Sequence, residues 1–409
     1  MLSICRLDWP PLLRAYSSGV RTSPMKNPVP ATFLRGGTSK GIFLHRDNLP
    51  TDRAEWPRIF LGIMGSPDKE HGRQLNGMGG GVSSLSKICV VGPASRDQQA
   101  QGIAVEYTFV QVGIRDSSID TSGNCGNLSS MIGVFARDEG ICAPPSPGGT
   151  HMTVRSFNTN TQKIIDTTFP VADSFAALDL PEVSIAGVPG KASSILMEFV
   201  QPSGARTGKL LPSHSPLDLL EIPASSTETR TLRVSYVDAT NPTVFVGSVD
   251  LCQFLAFDEY TQGSSSAAAA RVSETLELIR QRGAERMGLN PAAQAQPKVA
   301  VLGAPDKEEL AQGVDIVVHA LSMGVLHRAV PMTVGLCVGV AANVPGTLGW
   351  EIVQQSHTAR GESHGEGMVR IKHPSGVVDV GAEFSEDGTV NSAKVVRTGR
   401  RLMKGAVWW

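Results

Sequence analysis

Apolar and polar positions along this chain alternate mostly in short runs, with helical spacing confined to a few segments. Residues 31–34, 41–44, 86–91 and 104–112 read as strands, and 152–157 with 163–171 as a hairpin. Residues 178–189 read as a further extended segment ending in a turn. In the second half, 232–237, 243–249, 299–303, 316–320, 369–371, 376–384 and 390–397 read as strands. Helical spacing marks 51–64, with Trp56, Ile59, Phe60 and Ile63 on one face. It also marks 272–282, where Gly283 falls at the next position of the apolar face and would end or weaken the helix. Two runs of small and apolar residues, 128–136 and 333–342, read as helices that each follow a polar loop.

The two halves therefore share a grammar of strands, a polar loop, then a small-residue helix, which predicts two pseudo-symmetric domains facing each other across a cleft. The Pro-, Gly- and Ser-rich stretch 201–216 is where the chain should cross between them. The expected division is 25–205 for the first domain, 206–395 for the second, and a tail, 396–409, that could return to the first.

A length of 409 residues suits two cores better than one. The 43 glycines and 26 prolines favour many short strands over a helical bundle, hence an α/β (α+β) class. A net charge of −1 gives no electrostatic footprint for nucleic acid, and no apolar run approaches the ~18 residues of a membrane span. The six cysteines are widely and irregularly spaced with no C-x-x-C pair, so reduced thiols are expected, and no Cys/His cluster suggests a zinc site. Residues 1–24 carry Arg6, Arg14 and Arg21 with Asp8 as the sole acid, the composition of a mitochondrial presequence. The competing reading is a disordered tail before a start at Met25 and a cytoplasmic protein.

Four loops carry candidate chemistry. Arg35-Gly-Gly-Thr-Ser-Lys-Gly41 exposes backbone N–H groups beside the donors Arg35, Thr38, Ser39 and Lys40; its spacing is wrong for a phosphate loop and suits a carboxylate cradle. The Gly-rich stretch 76–87 ends on Lys87 in an apolar context, a candidate proton-transfer base. Cys125 lies between two Gly-Asn steps ahead of the helix at 128–136, where a helix start favours a bound carboxylate or a thiolate. The backbone N–H groups of Asn124, Gly126 and Asn127, and those of Ser322, Met323 and Gly324 ahead of the second small-residue helix, are the expected donors to a developing oxyanion. His327 is a polar residue in an apolar run, either a satisfied core histidine or a proton carrier.

Taken together, R-G-G-T-S-K-G at 35–41, S-S-x-S-K at 83–87, G-N-C-G-N-L-S-S at 123–130, D-A-x-N-P-x-V-F at 238–245 and S-M-G-x-x-H-x-A-x-P-x-T at 322–333 resemble the 2-methylaconitate cis–trans isomerase (PrpF) family. The resemblance implies a diaminopimelate epimerase-like fold: two domains, each a curled, mostly antiparallel sheet around a central helix, with the active site in the cleft between them. It implies an isomerase that moves an allylic proton in an unsaturated di- or tricarboxylate without metal or organic cofactor. It assigns the essential lysine to Lys87, the helix-start cysteine to Cys125 and the histidine of the related Δ-isomerases to His327. It also implies a homodimer and an aconitase-like partner enzyme. Two-thiol racemases of this fold draw one cysteine from each half. Here Ser322-Met323 is expected where the second thiol would lie, which argues against amino-acid racemisation. A non-catalytic accessory role, or a thiol hydrolase using Cys125 and His327, would also suit these residues.

Overall fold

The computed structural model describes residues 27–146, 148–223, 228–322, 324–362 and 367–409, with Ser322 described by its backbone alone. The first half contributes β1 (Val29–Gly36), β2 (Ser39–His45), β3 (Lys87–Pro93), β4 (Val105–Val112), β5 (His151–Asn158), β6 (Lys163–Ala172) and β7 (Ile195–Val200). The second contributes β8 (Asp218–Pro223), β9 (Thr229–Ala239), β10 (Asn241–Gly247), β11 (Lys298–Gly303), β12 (Ile316–Ser322), β13 (Met368–His373), β14 (Gly376–Phe384) and β15 (Val390–Arg397), followed by β16 (Gly399–Val407).

From β1 to β7 neighbouring strands pair in the order antiparallel, parallel, antiparallel, parallel, antiparallel, antiparallel. From β9 to β15 the same order recurs. The fold is thus a mixed α/β structure built from an internal repeat too diverged to see as sequence identity. The last strands of the two repeats, β7 and β15, pair antiparallel and join the halves into one sheet. Beyond the repeats, β8 flanks β9, and the C-terminal strand β16 crosses back to flank β1.

Strand alternation sorts the core into layers. Phe43, Cys89 and Phe109 of the first half and Phe245, Ala300 and Leu302 of the second face inward onto the central helices and share one cluster. Their neighbours Ile42, Leu44, Ile88 and Val90 face outward onto helix α1 (Trp56–Met64). The central element of the first half is two short segments, α2 (Gly126–Ser129) and α3 (Ile132–Asp138), rather than one continuous helix. Val244, Val246, Val299 and Val301 face α4 (Ala267–Arg286). In the second half α5 (Met332–Ala341) is buried from Val334 onward, with no polar face to offer to water. α6 (Leu348–Arg360) follows it.

Three further expectations fail here. Residues 178–189 form no strand, only an isolated bridge between Val183 and Ala192; β7 lies just downstream, where Ile195 and Met197 alternate inward. Gly283 does not end its helix, which runs on to Arg286; a Cβ there would lie 2.4 Å from Val244 Cγ2, so the glycine lets α4 approach the sheet closely. α6 lies where the residue pattern predicts no element, because it shows no clear apolar period. No helix among the described residues is long and apolar enough to cross a membrane.

Truncation of Leu336 to Ala in the fully buried α5 should cost about 2–5 kcal/mol. The same change at Leu402, 41% exposed on β16, should cost under about 0.5 kcal/mol. Urea unfolding of the two variants checks this, and similar losses for both would contradict the layered core.

Candidate active site

The two central elements meet start to start. Cys125 is the N-cap residue of α2 and Pro331 that of α5. A Cβ on Gly126 would lie 2.0 Å from Met332 Sδ, so only glycine permits this contact without displacing the methionine. The β1–β2 turn braces the first start, where Asn127 Nδ2 donates to Thr38 Oγ1 at 3.1 Å. The β9–β10 turn braces the second, where Thr240 Oγ1 donates to the Thr333 carbonyl at 2.8 Å.

Beneath Cys125 lies a polar network. Asn124 Nδ2 donates to the Tyr107 hydroxyl at 3.1 Å, and that hydroxyl bonds Ser129 Oγ at 2.8 Å. Ser129 Oγ in turn donates to Asn124 Oδ1 at 3.2 Å and to the Cys125 carbonyl at 3.1 Å. Burial pushes the Tyr107 phenol well above its usual range, so it remains a hydrogen-bond donor at all working pH values. The thiol itself lies 3.8 Å from Ser39 Oγ.

Lys87 opens β3, faces inward on the same side as Cys89 and is 7% exposed. Its Nζ donates to Gln111 Oε1 at 2.5 Å and stands 5.2 Å from the centre of the Phe109 ring. The Nζ group is therefore held by a neutral amide and an aromatic face, with no carboxylate bonded to it among the described residues. Gln111 is fixed in turn by the Gly-rich loop, donating to the Ser86 carbonyl at 3.0 Å and accepting from Ser83 Oγ at 3.0 Å.

A cavity of about 330 Å³ opens beside these starts, lined by Thr38, Asn127, His327, Met332, His373 and Arg397 among others. None of its described lining residues is acidic. Cys125 and Lys87 are not among its lining residues. Arg397 ends β15, and its Nε donates to Asn127 Oδ1 at 3.3 Å and its Nη1 to the Val396 carbonyl at 2.8 Å. Burial lowers its guanidinium to about 10, an effect the Cys125 thiol opposes, so it stays charged at neutral pH. No carboxylate pairs with it among the described residues. His373 is driven down to about 4, by burial first and then by Arg397 and Lys372, and its Nδ1 accepts from Ser375 N at 3.2 Å. His327 is lowered by burial and then by Lys298. A larger recess of about 530 Å³ around Asp68, His71 and Arg73 contains none of the candidate residues. Among the described residues no three metal-ligating side chains converge.

The expected donor loops divide. Thr38 lines the cavity and Ser39 meets Cys125. Arg35 is occupied with the backbone, its Nη1 donating to the carbonyls of Gly37 at 3.0 Å and Thr398 at 3.2 Å. Lys40 lies 5.8 Å from the Phe33 ring, on the outward side of β2. Ser322 and Gly324 do not head the second helix, which starts at Met332; Gly324 is exposed near Leu276 and Arg280 of α4. Met323 lies outside the described residues. The residue at the second helix start, in the place matching Cys125, is Pro331 rather than Ser322 or Met323. Arg397 escapes a reading of the residues alone, because an arginine ending an alternating strand carries no sequence signal that separates it from a solvated one.

A profile of the PrpF protein family matches residues 26–409. The chain is 35% identical to a 2-methyl-aconitate isomerase of Shewanella oneidensis over 94% of this chain and 97% of that protein. It is 35% identical to a 3-methylitaconate isomerase of Eubacterium barkeri over 93% and 97%. A crystal structure of a methylitaconate-delta-isomerase superposes with a TM-score of 0.79 at 33% identity, covering 93% of this chain and 95% of that one.

The lowered His373 implies a pH dependence of stability. Its folded value of about 4 lies below the ordinary 6.5, so between these values the unfolded chain binds the extra proton and stability falls as pH drops. The loss should amount to about 1–2 kcal/mol after solvent screening. Urea unfolding of the wild type and His373→Asn between pH 7 and 4 should show a shallower decline in the variant; parallel declines would remove His373 as the cause.

Proposed function

The chain belongs to the PrpF protein family, and on that premise we propose that it is an isomerase that moves an allylic proton in an unsaturated di- or tricarboxylate, using its own side chains and no metal or organic cofactor. The observation that carries the reading is Arg397, a charged guanidinium with no carboxylate partner among the described residues, beside a cavity whose described lining holds no acid. A substrate carboxylate supplies the missing charge, and a guanidinium takes it in a forked, charge-assisted pair.

With one carboxylate on Arg397, Lys87 is the base that removes the proton next to the conjugated system. The electron pair left behind spreads over a dienolate. The backbone N–H groups at Asn124–Asn127 donate to its oxygen in this reading, and a donor of this kind contributes about 3–4 kcal/mol. A proton returned to another carbon, or to the same carbon after rotation, completes the isomerisation. Cys125 is a second proton carrier or an orienting group, with His327 the competing candidate. Val330, Pro331 and Met332 give the cavity an apolar side, which favours an alkyl-substituted acid such as 2-methylaconitate or methylitaconate over aconitate. One methylene there discriminates by only about 1–3 kcal/mol. Pro331 at the second helix start, where a racemase of this design would need its other thiol, disfavours an amino-acid substrate.

A homodimer and an aconitase-like partner belong to the same reading. The presequence expected in residues 1–24 lies outside the described residues.

Proton NMR in heavy water with 2-methylaconitate and cis-aconitate should show a shifted or trans isomer, with deuterium entering the allylic carbon. Lys87→Met should reduce turnover about 10²–10⁴-fold, the range of a lost general base. Arg397→Met should raise KM about 10–100-fold, the loss of a charged hydrogen-bonded pair. No conversion and no exchange with either acid would overturn the isomerase, and full activity in Lys87→Met would overturn the base.

A further inference from the structure

The internal repeat places a second lysine where the first half has Lys87. Lys87 is the first residue of β3 and Lys298 the first residue of β11, the strands that occupy the same position in the two repeats. In both cases the next residue, Ile88 or Val299, turns outward, and the one after, Cys89 or Ala300, turns inward onto the central helices. Ile88 pairs with Val110 and Val299 with Leu321, so the two lysines also share their register with the following strand. Alternation therefore sends both lysines to the inner side of the sheet, towards the two helix starts.

The halves differ at those starts. The first has Cys125, whereas the second has Pro331, which offers neither a thiol nor an N–H. The second half still brings two titratable groups together, because Lys298 is close enough for its charge to act on His327, a lining residue of the cavity. We propose that Lys298, rather than Cys125 or His327, is the second proton carrier of this site, serving the substrate carbon opposite the one served by Lys87, which leaves Cys125 the orienting role. The inference rests on the isomerase reading above.

The step balances. Lys87 takes the C–H proton and becomes an ammonium, and the electron pair passes into the dienolate. The Lys298 ammonium gives a proton to the second carbon, where the new C–H bond forms. Lys298, left neutral, regains a proton from water on the exposed side of His327, and Lys87 loses its proton to solvent. The two cavity histidines are less suited to donate, since both are shifted towards their neutral forms. Burial of Lys298 lowers its ammonium and so makes it a better acid near neutrality.

Wild type, Lys298→Met, Lys298→Arg and Lys87→Met would be compared with 2-methylaconitate in heavy water, following deuterium exchange into substrate separately from product formation. Lys298→Met should keep the exchange catalysed from the Lys87 side while product formation falls about 10²–10⁴-fold. Lys298→Arg keeps the charge but cannot pass on a proton, so it should be equally impaired. Lys87→Met should lose both processes. Restored product formation in Lys298→Arg, or unchanged turnover in both Lys298 variants, would overturn the proposal. So would equal loss of exchange and product formation in Lys298→Met.

A second measurement does not depend on turnover. Tricarballylate, a saturated tricarboxylate, should protect Lys298 and Lys87 from acetic anhydride while leaving the outward-facing Lys40 reactive. Missing protection of Lys298 in an enzyme that does isomerise would overturn this inference alone. A wild type that converts nothing, even with Lys298 protected, would overturn both the isomerase and the proton-carrier role.

Discussion

The contact of Gly126 with Met332 is the constraint on which the rest of the molecule depends. α5 has no polar face, and α3 is buried through Ile132, Val134 and Phe135, so neither can be left at a surface. Each must be covered by the inner side of a sheet, and the strands around them supply those sides in one shared cluster. Because the two elements abut at their starts, the polar backbone groups that a helix leaves unpaired there cannot be scattered over the surface. They are gathered at the junction of the halves, where the cavity opens.

The hairpin turns that brace the two starts also lock the halves to each other, by equivalent backbone bonds with different side-chain reinforcement. In the first repeat Gly37 N donates to the Thr398 carbonyl at 2.9 Å, and Arg35 reinforces it. In the second, Thr240 N donates to the Pro202 carbonyl at 2.9 Å. There Asp238 Oδ2 accepts from the N–H groups of Arg206 at 2.8 Å and Thr207 at 2.7 Å. Thr398 follows the last strand of the second repeat and Pro202 the last strand of the first, so each turn holds the exit of the other half. Arg35 and Asp238 stand at matching positions, one a cation gripping carbonyls and the other an anion gripping N–H groups. The loop motifs at 35–41 and 238–245 are in large part joints.

Much of this was legible in the chain. Inward and outward residues of β2, β3, β10 and β11 alternate cleanly because each strand is covered on both sides by different layers, and the two small-residue runs announced buried helical elements by lacking a polar stripe, although the first is broken into α2 and α3. The repeat was visible as order and style. What failed to read was whatever depended on partners far away in sequence. β7 owes its place to pairing with β6 and β15, and β16 to pairing with β1, neither of which a local window contains. Gly283 looks like a helix breaker until Val244 is placed against it. Within the site, Thr38, Asn127 and His327 gather as lining residues of one cavity, whereas Arg35 and Lys40 share a donor-rich loop but point to different tasks. A loop composition states which donors are present, and only strand parity decides which side of the sheet receives each.

Parity also explains how a duplicated frame can hold an asymmetric site. A strand position that faces inward in one repeat faces inward in the other, so inheritance of the fold carries Lys87 and Lys298 to equivalent places whatever surrounds them. The helix starts are free to differ because the N-cap residue is fixed by the loop before it. Cys125 and Pro331 show that freedom. The charges around the cavity are then biased to one sign: Arg397 is buried and cationic, while His327 and His373 are held towards neutrality by burial and by nearby cations. An anion entering such a place relieves like-charge repulsion that the folded protein alone must tolerate, and it raises the proton affinity of both imidazoles as it binds. The same arrangement that weakens stability at low pH thereby favours a carboxylate ligand at neutral pH.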